Sequence, residues 1–184
     1  MPMLAPDPIF VLAARVAMAG VFLTGGLNQW RDRAMFAAVV EGYALLPRIL
    51  VAPVAVLLPV AEILTGISLL WPPTGRNGAM AGLIILGAVS LAVVINLARG
   101  RRDIDCGCGG ASGDQTLSWS LVARNGVLAL LLGLGALHAS PRVLAGLDFV
   151  IAVLAGLAAL GMYAAANQLL ANAPRLQALR DGLT

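Results

Sequence analysis

The sequence predicts an all-α, polytopic membrane protein: a bundle of about five hydrophobic helices making one integral membrane domain over residues 1–184. Three observations carry that reading. Only 11% of the residues are charged and 60% are hydrophobic, at a mean hydropathy of +0.90, where water-soluble domains carry about 25% charged residues. The apolar residues come in long blocks, each near the ~20 residues that a helix needs to cross a bilayer. Trp30, Trp71 and Trp119 all fall at the ends of such blocks, where membrane proteins place an aromatic belt.

The first span is expected over about Pro8 to Asn28, with Arg15 inside it. Met1 to Asp7 holds no basic residue, and the apolar run is too long for a signal peptide and lacks a small-residue cleavage site. It reads as a retained helix. Residues 32–46 are too short to cross. Phe36, Val39, Val40 and Tyr43 share one helical face there, and Asp32 can cap it, so an interfacial helix is expected. The second span covers about Arg48 to Leu70 and contains Glu62. Pro53 and Pro59 each remove a backbone donor from it and should kink it. The third covers about Gly78 to Ala98, with Gly78 and Gly82 spaced for close helix contact. The loop at 99–116, RGRRDIDCGCGGASGDQT, is the most polar stretch of the chain. The fourth span, about Leu117 to Leu137, carries Arg124 and Asn125, and the fifth covers about 143–165. Beyond Pro174, the spacing of Leu176, Leu179 and Leu183 suggests a tail lying on the membrane surface.

All 12 basic residues are Arg. With five crossings, one face collects Arg31, Arg33, Arg48, Arg99, Arg101, Arg102, Arg175 and Arg180. The other collects Arg76 and Arg142. The formal charge of +3 therefore reads as membrane orientation, with no nucleic-acid partner implied. The positive-inside rule makes the Arg-rich face, and the polar loop on it, cytoplasmic.

The only two cysteines, Cys106 and Cys108, lie in that loop, separated by Gly107 and followed by Gly109. Glycines permit the sharp backbone bend that a disulfide between them needs. Such a ring is small, which suits exchange better than stapling, because a staple gains most by closing a long loop. Asn96 and Arg124 fall near the same end and are candidate supports: a guanidinium lowers a thiol pKa, while Asp103 and Asp105 act against it. Two other readings stay open. The thiols could be chance residues of a Gly-rich turn, or metal ligands. For a metal, two sulfurs do not complete a tetrahedral set, and the sole His, His138, belongs on the opposite face.

Charges inside spans need partners, since an unpaired one costs several kcal/mol. Arg15 and Glu62 are each expected roughly 10 Å deep from the same face and are expected to form an intramembrane ion pair. Arg124 has no acidic candidate in the spans. It is expected to face the Cys loop, a polar cavity or an anionic ligand, and quinone carbonyls or lipid phosphate would both fit it.

The stretches GYALLP, PVAVLLPVAEILTGISLL and RRDIDCGCGG resemble the methylamine utilisation protein MauE family, one of the DoxX-like membrane protein families, over about residues 9–165. The resemblance implies a four-helix DoxX-like core plus one span, in a bacterial inner membrane. It further implies a thiol–disulfide oxidoreductase role in maturing the disulfide-rich periplasmic small subunit of methylamine dehydrogenase, beside a thioredoxin-like, MauD-like partner. By matching position, Cys106 and Cys108 would be the redox pair. DoxX-like bundles are also similar to vitamin K epoxide reductase and DsbB, which makes quinone a candidate cofactor. The chain departs from those oxidases in having one cysteine pair where they use two, so a partner must supply the other. A periplasmic substrate also conflicts with the cytoplasmic side assigned by the Arg distribution. Two rival functions remain: a non-enzymatic scaffold docking a maturation partner through Arg99, Arg101 and Arg102, and a small transporter using Arg15, Glu62 and Arg124 as a polar path.

Overall fold

The structure is a computed structural model that describes residues 6–102, 104 and 116–181. Among these there are six helices and no strand. Helix α1 (Pro8–Arg31) starts where the Asp7 carboxylate accepts from the Ile9 amide at 2.9 Å, with Pro8 at the first helical position, two signals that satisfy or remove orphan amides. Asp32 both ends α1 and starts α2 (Arg33–Gly42), its carboxylate accepting from the Met35 amide at 3.1 Å. The expected apolar face of α2 is buried at Phe36, Val39 and Tyr43. Helices α3 (Arg48–Leu70), α4 (Gly75–Ala98), α5 (Trp119–Ala136) and α6 (Gly146–Asp181) complete the chain. Of the six, all but α2 are long and apolar enough to cross a membrane. The protein is therefore a multi-pass membrane protein. Its lipid-facing side chains agree: Ile49 is 82% exposed, Ile84 72% and Leu130 76%, a surface that water would not tolerate at this extent.

Two boundaries differ from the expectation. Helix α4 begins at Gly75 because the preceding turn is tight: Ser68 Oγ donates to the Thr74 carbonyl at 3.2 Å and Thr74 Oγ1 donates to the Ser68 carbonyl at 3.0 Å. Helix α6 continues through Pro174 to Asp181, where a separate surface tail was expected. Proline fixes φ near the helical value, so the helix can run through it at the loss of one backbone hydrogen bond. The 36 residues of α6 make it about 54 Å long, well beyond the ~30 Å hydrocarbon core. Pro53 and Pro59 likewise lie inside one continuous helix.

Helix α1 is the hub, packing on α3, α6 and α5, while α4 packs on α5 and α3. Lipid tails are as apolar as leucine, so these helices associate through close packing rather than burial from water. Two glycines bring α1 and α3 into close backbone approach. A Cβ placed at Gly26 would stand 2.9 Å from the Pro59 carbonyl oxygen, and one at Gly66 would stand 3.2 Å from the Ala19 carbonyl oxygen. These antiparallel contacts also fix a stagger. The end of α3 comes level with about the third turn of α1, which leaves roughly 12 Å of α1 beyond it. One core cluster, around Met18, Phe22, Leu69 and Leu132, fills the end near the α3–α4 turn. A second, around Val39, Tyr43, Val93, Leu97, Leu117 and Leu121, fills the Arg-rich end.

Candidate functional site

The polar loop is built onto the second core cluster. Helix α4 stops in a glycine-terminated cap: Gly100 takes φ +75°, its amide donates to the Leu97 carbonyl and the Arg101 amide to the Asn96 carbonyl, both at 3.0 Å. This pairing satisfies the last carbonyls of a helix and needs a residue that tolerates positive φ. The cap aims Arg101 sideways. Its Nη2 donates to the Gly42 carbonyl at 2.9 Å, and its Nη1 to the Tyr43 carbonyl at 3.2 Å and Asn96 Oδ1 at 3.3 Å. Gly42 and Tyr43 close α2, where orphan carbonyls and the negative end of the helix dipole favour a cation. Asn96, fully buried, also donates through Nδ2 to the Ala92 carbonyl at 3.1 Å.

Three residues further on, Ile104 packs on the cluster containing Val39, Tyr43 and Leu121. Its carbonyl accepts from the Leu117 amide at 3.1 Å. Ile104 and Leu117 thus meet at one point beside the end of α2. Cys106, Cys108, Gly107 and Gly109, with Asp103 and Asp105, lie outside the described residues.

Asn96 is where a supporting residue was expected, but its side chain serves the stem of the loop. Arg101, read from sequence as an orientation or docking charge, is a structural clamp. The signal for it was present: Gly100 stands two residues after Ala98, the end of the apolar span, which marks a helix C-cap. Replacing Arg101 with leucine removes three charge-assisted bonds and should destabilise the solubilised protein by about 1–3 kcal/mol. Thermal unfolding in detergent micelles checks this, and Arg101→Lys should recover only part because an ammonium lacks the planar fork.

The second element of the site lies within the bundle. Helices α5 and α6 each pack on α1 but not closely on one another. Beside them is a cavity of about 410 Å³ reached by all five spans. Arg124 bridges it, Nη1 donating to Asn167 Oδ1 on α6 at 2.7 Å and Nη2 to Asn125 Oδ1 at 3.2 Å. The guanidinium also stands 5.7 Å from the Tyr163 ring centroid. Asn125 Nδ2 in turn donates to Ser90 Oγ on α4 at 3.0 Å. Elsewhere in the lining, Gln29 Nε2 donates to Glu62 Oε1 at 3.5 Å, joining α1 to α3. Gln29 and Glu62 are each 8% exposed. The Gln29 Oε1 atom is buried with no hydrogen-bond partner among the described residues, a deficit of about 1–3 kcal/mol. A second, largely apolar cavity of about 340 Å³ adjoins this one and is walled by Val39 and Tyr43 of α2. Gln29 and Glu62 line both, so they stand between the cavity that reaches Arg124 and the one beneath the loop stem. Arg124 is among the residues lining the larger cavity.

The expected pairing of Arg15 with Glu62 is not what the bundle makes. Glu62 lies beside Gly25 and Gly26, whereas Arg15 sits over Gly75 and donates from Nε to the Gly135 carbonyl at 2.8 Å. About 15 Å of α1 separates the two levels. Counting residues from span ends assumed flush helices, and the α1–α3 stagger carries Arg15 up to the α3–α4 turn. There it caps the last turn of α5, a favourable place for a cation. His138 lies at that same end, with its Nε2 3.2 Å from Arg76 Nη1.

The family model for methylamine utilisation protein MauE matches residues 7–138 of the chain, from the start of α1 to just past α5. The chain is 35% identical to methylamine utilization protein MauE of Paracoccus versutus over 164 residues, 89% of this chain and 88% of the relative. It is 34% identical to the protein of that name in Paracoccus denitrificans over 166 residues, again 89% and 88%. Against the Methylorubrum extorquens protein it is 34% identical over 127 residues, 69% of this chain and 68% of that one. No solved structure matches.

Proposed function

The chain belongs to the methylamine utilisation protein MauE family, and from that premise we propose that it is a membrane thiol–disulfide redox protein acting in methylamine utilisation. Its Cys106 and Cys108 exchange electrons with a thioredoxin-like partner while a periplasmic protein, such as the methylamine dehydrogenase small subunit, acquires its disulfides. A partner thiolate attacks one sulfur of the Cys106–Cys108 disulfide, and the other sulfur leaves as thiolate. The partner's second thiolate then displaces the first. The partner ends as a disulfide and this chain as a dithiol, two electrons and two protons having moved. Run backwards, the same steps reduce the partner.

The observation that carries this reading is the placing of the chain's two cysteines, one glycine apart, between Ile104 and Leu117, which are hydrogen-bonded to each other. A hydrogen bond between these two flanking residues lets thiol exchange take place without disturbing the spans. The clamp made by Arg101 on α2 supports the reading, because it gives the segment a rigid base against which a partner can press.

The test is labelling with a membrane-impermeant thiol reagent in vesicles of both orientations. Without reductant the reagent should add nothing to the chain, and after mild reduction it should add two labels. Two labels on oxidant-treated protein would sink the redox reading. The vesicle orientation that labels assigns the face of the loop, and so decides between the cytoplasmic side favoured by the Arg distribution and the periplasmic side that the substrate requires.

A further inference from the structure

We propose that the cavity bridged by Arg124 is a binding site for a neutral, lipid-soluble ring carrying two oxygen functions, of the quinone and hydroquinone class. This goes beyond the thiol reading and stands independently of it. The cavity, at about 410 Å³, falls within the ~300–1,000 Å³ of small-molecule sites. It lies among helices that cross the membrane, and α5 and α6 pack on α1 rather than closely on each other. Its ligand therefore comes from the lipid phase, entering between those two helices.

The lining selects the head of that ligand. Two polar groups contribute to it from different helices: Arg124, Asn125 and Asn167 on α5 and α6, and Asn28, Gln29 and Glu62 on α1 and α3. Apolar side chains such as Phe22, Leu86 and Leu128 complete it. A flat apolar ring with oxygens at two positions matches that distribution. A carbonyl oxygen accepts from the guanidinium or an amide N–H at the first group. At the second, a hydroxyl of the hydroquinone form donates to Gln29 Oε1, which is buried and has no partner among the described residues. A buried acceptor left in that state calls for a donor from outside the chain. An anion such as a lipid phosphate is disfavoured, because the Glu62 carboxyl lines the same space as Arg124. The ring tail would leave along the apolar wall toward the bilayer.

The probe is decylubiquinone, added to the full-length protein in detergent after both thiols have been alkylated. Alkylation removes thiol exchange from the measurement, so failure of the thiol reading and failure of this one are separate results. Equilibrium dialysis should give saturable binding near one probe per chain. Arg124→Leu should weaken it about tenfold or more, the scale of a lost hydrogen bond to a charged group. Gln29→Leu should weaken the hydroquinone form more than the quinone, since it removes the acceptor. Arg76→Leu, at the far end of the bundle, should leave binding unchanged. Each variant is required to elute as a single peak in size exclusion, and Gln29→Leu keeps the test open if Arg124→Leu does not fold. No saturable binding to the parent chain, or equal binding by Arg124→Leu and Gln29→Leu, overturns the proposal. So does displacement of the probe by phosphatidic acid at lower concentration than by decylubiquinone itself.

Discussion

Replacing Gly26 with leucine is expected to be among the most damaging single changes in the spans, at about 3 kcal/mol or more, the upper range for overpacking. A Cβ there would stand 2.9 Å from the Pro59 carbonyl oxygen, 2.9 Å from Ile63 Cγ1 and 3.1 Å from Glu62 Cβ. Ile63 has rotamers to use, but a main-chain carbonyl cannot swing aside, so α1 and α3 must separate. Separation loses the close packing that membrane helices rely on in place of a hydrophobic driving force. It also moves Glu62 away from Gln29, so the cavity is disturbed together with the fold. Gly126→Leu and Gly133→Leu are the controls. Neither glycine has any atom within 4 Å of its added Cβ, and both changes should stay within about 0.5 kcal/mol. Unfolding in mixed micelles with increasing dodecyl sulfate measures all three. Equal effects at Gly26 and Gly126 would show that α1 and α3 do not meet as described.

The contrast between these glycines marks what the sequence could and could not convey. Spans were legible because bilayer thickness imposes a length and a composition on each one, and Trp30, Trp71 and Trp119 repeat the message in a different residue type. Helix α2 was legible because a 3.6-residue period survives in ten residues capped by Asp32. Which glycine faces a neighbour was not legible, since in a chain with 21 of them nothing local separates Gly26 from Gly133. The Arg15–Glu62 expectation failed for a related reason. Depth within a span follows from counting residues, but the axial offset between two spans is set by side-chain packing at places such as Gly26 and Gly66.

The polar part of the site divides along the same line. Arg124 announced itself as an intramembrane charge, the kind of residue that is expensive enough to demand a function. Gln29 did not, because it falls just past the expected end of the first span, next to Trp30. In the bundle, where it bonds to Glu62 of α3, it is 8% exposed and its Oε1 has no partner among the described residues. Arg101 was hidden differently. Among so many arginines at one face, membrane orientation explained it adequately, and its bonds to Gly42 and Tyr43 join residues 58 and 59 positions apart.

That reassignment sharpens the second prediction. Cys106→Ser and Cys108→Ser should each abolish function in maturing the partner's substrate, by on the order of 10³-fold or more, and the double variant should be no worse than either single one. The non-additivity is the diagnostic: a disulfide needs both sulfurs, so losing the second costs nothing once the first is gone. One of the two single variants should also accumulate a mixed disulfide with its partner, visible as a reductant-sensitive band. A scaffold makes the opposite forecast, full activity without thiols and loss when the docking charges go. Arg101 cannot serve in that comparison, since its removal loosens the loop stem whichever reading holds. Arg99 and Arg102, exposed at the same end, can. Substrate maturation followed in cells carrying Arg99→Gln with Arg102→Gln, beside the cysteine series, separates the two functions. Retained activity in the double serine variant would remove the electron-carrier reading while leaving the bundle, its clamp and its cavity as described.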